Sequence, residues 1–117
     1  MKILVVDDNS DICQMIETIL LSEGYEAVSC INPLIAGAMV KKHKPKLLIT
    51  DILMSGLDGR NLVKEIRSSR EGNKVKILMM SANPAFENIC ETSGADAFLA
   101  KPFQIDDFLE TVNSLLI

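Results

Sequence analysis

Lys46-Leu47-Leu48-Ile49-Thr50-Asp51-Ile52-Leu53-Met54-Ser55-Gly56-Leu57-Asp58-Gly59 is the stretch on which the fold turns. Leu47 to Thr50 is an apolar run of strand type, and it ends in an acid. A turn rich in Gly and Asp follows, and then Leu62, Val63 and Ile66 recur at helical spacing. A buried strand that finishes in a carboxylate needs a cation to meet it, because an unpaired buried charge is costly. Asp51 is therefore either a turn or helix cap, or a working group.

The same strand-then-helix unit repeats on both sides of this stretch. Ile3 to Val6 is a continuous apolar run rich in β-branched residues, the mark of a strand buried on both faces. Asn9, Ser10 and Asp11 offer a helix cap, and Ile12, Met15, Ile16, Ile19 and Leu20 follow with helical period up to Gly24. Ala27 to Ile31 reads as a second strand. Asn32-Pro33 opens a helix whose apolar face is Leu34, Ile35, Ala38 and Met39. Lys41, Lys42, His43 and Lys44 lie at its C-terminal end, where cations suit the helix dipole. Beyond the central stretch, Asp58 can cap the third helix, and Arg60, Lys64, Arg67 and Arg70 form its solvated outer stripe. Val75 to Met80 is a fourth strand, Asn83-Pro84 opens a short fourth helix ended by Gly94, and Ala97 to Ala100 is a fifth strand. Ile105, Phe108, Leu109, Val112, Leu115 and Leu116 give a fifth helix. Alternation of this kind implies a doubly wound α/β fold, a parallel sheet with right-handed crossovers and helices on both faces. Ligands of such sheets bind at the carboxyl ends of the strands.

Composition agrees with one compact domain spanning 1–117. The chain has 117 residues, 48% of them hydrophobic, enough to bury a core without a staple. A net charge of −4 argues against a direct nucleic-acid binder, since phosphate backbones call for excess Lys and Arg. Cys13, Cys30 and Cys90 form no C-x-x-C and read as buried thiols of a reducing compartment. The first apolar run is too short for a signal peptide or membrane span, so a cytoplasmic protein is expected.

The residues that follow the strands converge. Asp7 and Asp8 follow the first strand, Asp51 the third, Ser81 the fourth and Lys101 the fifth. Three neighbouring carboxylates repel one another, and a hard divalent cation such as Mg2+ relieves that repulsion. An Asp oxygen beside a divalent cation, an ammonium and a hydroxyl is suited to attack phosphorus and form an acyl phosphate. Each residue has a plainer reading by itself, Asp7 or Asp8 as a cap and Lys101 as an ion-pair partner. Those readings do not account for the convergence.

With V-V-D-D-N at 5–9, D-I-L-M-S-G-L-D-G at 51–59, M-S-A at 80–82, G-A-D-A-F at 94–98 and K-P-F at 101–103, the chain resembles a response-regulator receiver domain of the CheY-like type over essentially its whole length. The resemblance implies a flavodoxin-like five-stranded parallel sheet of order 2-1-3-4-5 flanked by five helices. It implies that Asp51 is the phosphoacceptor. Asp8, Asp51 and the backbone carbonyl of Leu53 would bind Mg2+, for which Mn2+ can stand in, and Asp7 would act through a water. Lys101 would contact the phosphoryl group, Ser81 would hydrogen-bond it, and Phe98 would be the switch aromatic that follows Ser81. The Lys101-Pro102 bond becomes a candidate for cis. The implied function is a phosphorylation-driven switch in a two-component phosphorelay. A sensor histidine kinase or histidine phosphotransfer protein would be the donor. Output to another protein would pass through the helix 4, strand 5 and helix 5 surface, by a monomer or a weak phosphorylation-dependent dimer. The only chemistry expected is the chain's own phosphorylation and dephosphorylation.

Three departures from the family pattern matter. Ser55 stands where the family usually has Pro, so the loop after Asp51 lacks a φ constraint. The stretch between Ser81 and Gly94 is shorter than in chemotaxis-type receivers. Leu53 and Asn83 flank the site, and an apolar Leu53 is expected to hinder the hydrolytic water. Leu53→Asn is then expected to shorten the life of the acyl phosphate, read as its decay after the donor is removed. An unchanged decay counts against this role. Two rival classes remain. One is a haloacid-dehalogenase-like Mg2+-dependent phosphatase, which needs D-x-D after the first strand where this chain has Asp7-Asp8-Asn9. The other is a receiver-fold interaction module not phosphorylated in use. A flavin site lacks a phosphate-cradling loop, and Asp7 and Asp8 would repel the phosphate.

Overall fold

The structure, a computed structural model, describes residues 2–54, 57–68, 74–82 and 94–117, with the backbone alone for 53–54 and 57–59. Strand β1 (Lys2–Val6) leads into helix α1 (Ser10–Ser22), and β2 (Glu26–Cys30) into a 3-10 turn (Pro33–Ile35) continued by α2 (Ala36–His43). Strand β3 (Leu47–Asp51) is followed by α3 (Gly59–Ser68), then β4 (Lys76–Ser81), β5 (Ala97–Ala100) and a C-terminal helix (Ile105–Leu115). Between β3 and α3 the backbone also forms a two-residue antiparallel ladder that pairs Leu53 with Asp58 and Met54 with Leu57. The sequence reads as a plain turn there.

The five strands are all parallel in the order β2-β1-β3-β4-β5, as the resemblance implies. The predicted fourth helix, residues 83–93, lies outside the described residues. Side-chain alternation splits the core. Leu4, Val6, Leu48 and Ile77 face α2 and α3, while Ile3, Val5, Leu47, Ile49, Leu78 and Met80 face α1 and the C-terminal helix. Both faces are dry, with Ile3 to Val6 and Leu47 to Ile49 all 0% exposed. Each such side chain contributes roughly 1.5–3 kcal/mol by burial.

Helix ends follow the sequence closely. The Asn9 side chain accepts from the N–H groups of Asp11 and Ile12 and caps α1. Gly24 takes φ +86 just beyond α1, a conformation that a side chain would resist. Asp58, the expected cap of α3, is described by backbone only, immediately before Gly59.

Helix faces follow the sequence less closely. On α1, Cys13, Ile16 and Leu20 are buried, whereas Met15 points to solvent. On the C-terminal helix Phe108 and Val112 are buried and Ile105 is exposed. On α2 the expectation is overturned. The inward residues are Pro33, Ala36 and Val40, with Met39 partly buried, while Leu34, Ile35 and Ala38 face outward. The 3-10 turn at Pro33–Ile35 precedes α2, so the stripe counted from Leu34 does not land on the sheet. Arg67 is likewise no solvated residue. Its guanidinium donates to the carbonyls of Gly94 (3.0 Å) and Val75 (2.5 Å) and to Asp96 Oδ2 (2.6 Å). Asp96 Oδ2 also accepts from the Ile77 N–H at 2.8 Å, so this clasp fixes the approach to β5.

Cys13 and Cys30 are free buried thiols. Burial, reinforced by the charge of Asp7, pushes the Cys13 thiol up to about 11, and burial also raises Cys30. Only the thiolate alkylates. Iodoacetamide at pH 8 is therefore expected to leave Cys13 and Cys30 unlabelled in the native chain and to label both in urea, read by peptide mass. Rapid native labelling of Cys13 would contradict its burial. No helix among the described residues is long and apolar enough to cross a membrane.

Candidate functional site

Of the polar residues singled out in the sequence, Asp7, Asp51 and Lys101 meet at the carboxyl end of the sheet, where Asp8 follows β1 and Ser81 ends β4. Asp7 follows β1 and is only 1% exposed. Its backbone N–H donates to the Cys30 carbonyl (3.2 Å), which extends the β1–β2 ladder and turns the side chain inward. Asp51 closes β3 opposite Met80 of β4, and the next N–H, of Ile52, donates to the Met80 carbonyl at 3.1 Å. Ser81 ends β4 and is 3% exposed. Lys101 follows β5, with its N–H on the Ser81 carbonyl at 2.8 Å. Each loop that carries a site residue is thus anchored by a backbone bond to the neighbouring strand.

Lys101 joins these elements. Its Nζ donates to Asp51 Oδ2 at 2.8 Å and to Asp7 Oδ2 at 3.2 Å. The ammonium belongs to β5, whereas its partners belong to β3 and β1. At a strand spacing of about 4.8 Å, β3 alone lies roughly 10 Å away, so only a long side chain closes the distance. All three groups are largely withdrawn from solvent, with side-chain exposures of 17% for Lys101, 16% for Asp51 and 2% for Asp7. The peptide bond Lys101-Pro102 is cis, as the resemblance suggests.

Burial and charge oppose each other here. Burial raises the Asp7 carboxyl above its ordinary value, and the nearby Asp51 charge adds to that. The Asn9 N–H (3.0 Å) and Lys101 pull it back only in part. For Lys101, burial alone would lower the ammonium, but the hydrogen bond and charge of Asp51, and then Asp7, outweigh it and raise it. The two directions fit one picture. Two acids share one ammonium, and Asn9 and Lys101 offset the burial of Asp7 only in part, which leaves Asp7 short of positive charge.

That shortage bears on a metal. Among the described residues no three Asp, Glu, His or Cys side chains form a ready cation cage. Asp8 is exposed, at the rim beyond Asp7, and Lys101 lies between Asp7 and Asp51. The donors are carboxylate oxygens, of which only those of Asp8 belong to an exposed residue. Mg2+ suits that set, since it keeps several waters and takes few protein ligands. The backbone of Leu53 lies two residues beyond Asp51, while the side chains of Leu53, Ser55 and Asn83 lie outside the described residues. Phe98 is partly buried on β5 and packs against the cluster under α2 and α3.

Two contributors carry weaker sequence signals. Asn9 reads only as a cap, yet its N–H also fixes Asp7 Oδ1. Thr50 is fully buried beside Asp51, and its Oγ1 donates to the Asp51 carbonyl at 3.0 Å. A hydroxyl inside an apolar strand is the signal that marks it.

Comparison with known proteins places this geometry. The family model described as response regulator receiver domain matches residues 3–113. The chemotaxis protein CheY of Bacillus subtilis is 36% identical over 118 residues, covering 98% of this chain and 97% of that protein. Sporulation initiation phosphotransferase F of the same organism is 32% identical over 117 residues, covering 98% and 93%. Among solved structures, the response regulator protein TrrA of Thermotoga maritima, in complex with Mg2+-BeF, is 31% identical and superposes with a TM-score of 0.88, covering 97% of each chain.

Proposed function

The chain belongs to the response regulator receiver domain family, and from that premise we propose that it is a phosphorylation-driven switch whose acceptor is Asp51. Receiver domains are signalling domains rather than metabolic enzymes, and they work with histidine kinases or phosphotransfer proteins and downstream targets. The observation that carries the reading is the ammonium of Lys101 at 2.8 Å from Asp51 Oδ2, at the carboxyl end of the sheet. A cap or a simple ion pair needs no such reach across a strand.

In the proposed step, an Asp51 oxygen attacks the phosphorus of a phospho-histidine. The P–O bond forms, the P–N bond breaks, and its electron pair returns to the imidazole nitrogen. Lys101 holds Asp51 oriented before transfer and neutralises phosphoryl oxygens after it. Ser81, at the end of the intervening strand β4, offers its hydroxyl to a phosphoryl oxygen. Phe98 on β5 follows Ser81, so that two conformations exchange population. Asp8, Asp51 and the Leu53 carbonyl would hold Mg2+ directly and Asp7 through a water, with Mn2+ as a substitute. Bound there, the ion supplies positive charge to the developing phosphoryl oxygens. The signal leaves through β5, the C-terminal helix and the preceding segment to another protein in the cytoplasm, from a monomer or weak dimer, without direct contact to nucleic acid or membrane.

The donor needs a surface beside Asp51. α1 starts just after Asp8, and the C-terminal helix starts just after Lys101. Between them lies a groove of ≈ 450 Å³ lined by Asp11, Gln14, Met15, Thr18, Ile19 and Ile105. Met15 and Ile105 are 48% and 54% exposed. We place the donor's helices on this groove. Met15→Glu is then expected to slow transfer from a phospho-histidine protein by about tenfold or more, while labelling by acetyl phosphate stays unchanged. Equal slowing with both donors would place Met15 in the chemistry instead.

A further inference from the structure

Helix α2 carries two apolar faces, and the fold uses one of them. Pro33, Ala36 and Val40 pack onto the sheet. Ile31 before the 3-10 turn, Leu34 and Ile35 within it and Ala38 on α2 lie on the other side, and all four are exposed. Leu34 is 72% exposed, Ile31 57% and Ile35 48%. Single exposed aliphatics are ordinary, whereas several gathered along one short segment mark a recognition surface. The stripe adjoins a groove of ≈ 460 Å³ between α2 and α3, lined by Leu34, Gly37, Ala38, Lys41, Glu65 and Ile66. Over Gly37 the groove is occupied by Glu65 of α3, whose Oε1 lies 2.8 Å from where a Cβ would sit. The far end of the stripe is basic, with Lys41, Lys42 and His43 in the last turn of α2 and Lys44 just after it.

We propose that this face binds an amphipathic helix of a partner protein, with its apolar stripe on Leu34, Ile35 and Ala38 and its acidic residues against Lys41 and Lys42. A helix is the matching shape, because an elongated stripe rimmed by a groove between two helices accepts side chains at spacings of three and four. Acidic chemistry follows from the last turn of α2, which carries Lys41 and Lys42 on a helix with no Asp or Glu, while the acid that lines the groove, Glu65 of α3, is seated at Gly37. The same fact disfavours a second copy of this chain, since two α2 helices packed together would bring unanswered lysines into one contact. The face lies on the opposite side of the sheet from the Met15–Ile105 groove and does not depend on phosphorylation of Asp51.

The test is an NMR titration of the full chain with two synthetic helical peptides. They share a leucine stripe at spacings of three and four, and differ in having Glu or Lys at the remaining positions. The Glu peptide is expected to shift the amides of 31–41 saturably and to bind about tenfold or more tighter than the Lys peptide. Leu34→Gln with Ile35→Gln is expected to weaken binding by about tenfold or more, with an unchanged melting curve and unchanged acetyl-phosphate labelling. Equal binding of the Lys peptide, shifts centred on Met15 and Ile105, or no saturable shift would overturn the proposal. So would concentration-dependent shifts of the α2 amides without peptide, which would assign the face to a second copy.

Discussion

Asp51→Asn takes up no phosphoryl group from acetyl phosphate or from a phospho-histidine donor, while remaining folded. The substitution keeps the shape of the side chain and one oxygen that Lys101 can reach, but an amide oxygen is no nucleophile toward phosphorus. Asp7 has the only other oxygen held by Lys101 among the described residues, and Asp7 is 1% exposed and already committed to the Asn9 N–H and to Lys101. Intact mass reads the result directly, and circular dichroism checks the fold. A phosphoryl adduct retained at the wild-type level would remove Asp51 from the centre of the reading.

Lys101→Met gives the second large effect, in two separable parts. Phosphorylation slows by about 100-fold, the usual cost of losing one preorganised charge at a developing oxyanion. Stability at pH 7 falls by about 3 kcal/mol, because two buried carboxylates lose the cation they share. The folded-state ammonium of Lys101 is raised above 10.5, so its contribution is fully present below pH 10.5 and is lost as pH rises through the raised value. The urea midpoints of wild type and Lys101→Met are therefore expected to converge as pH rises beyond 10.5, read as a difference so that other titrations cancel. Asp7 has the opposite sign. Its carboxyl is raised from 3.8, so the fold prefers the neutral form, and the ionised form costs stability once pH exceeds 3.8. Asp7→Asn should thus raise the urea midpoint at pH 7, restore part of what Lys101→Met loses, and weaken the Mg2+ dependence of labelling. A midpoint that falls in Asp7→Asn would show that the Lys101 contact outweighs burial.

How much of this was legible in the sequence follows from what kind of signal each feature leaves. β1, β3 and β4 are buried on both faces and read as continuous apolar runs, so the sheet and its alternation with helices are legible in the sequence. Asp7, Asp51, Ser81 and Lys101 were readable because each closes a strand, and a parallel sheet puts those ends together. The meeting of Lys101 with both Asp7 and Asp51 goes further than strand order, because it depends on a side chain spanning the width of β4. The outward stripe of α2 was not legible. Apolar periodicity marks that a helix has a face, but with Pro33, Ala36 and Val40 small or few, the larger Leu34 and Ile35 dominate the count and indicate the wrong side. Arg67 reads as one charge in a solvated row, since its partners are two carbonyls and one acid in the segments that lead into β4 and β5. Asn9 as a positioner of Asp7 was hidden behind its role as a cap.

The stretch from Leu47 to Asp51 remains the key to the molecule, an apolar strand that finishes in an acid because Lys101 is there to meet it. The most direct test treats the wild-type chain with acetyl phosphate, with and without Mg2+, and then reduces it with borohydride. That step converts an aspartyl phosphate to homoserine, which peptide mass spectrometry locates. The account predicts homoserine at position 51 alone, and only when Mg2+ is present. Homoserine at another position, labelling that ignores Mg2+, or a folded chain that takes up no phosphoryl group would contradict it.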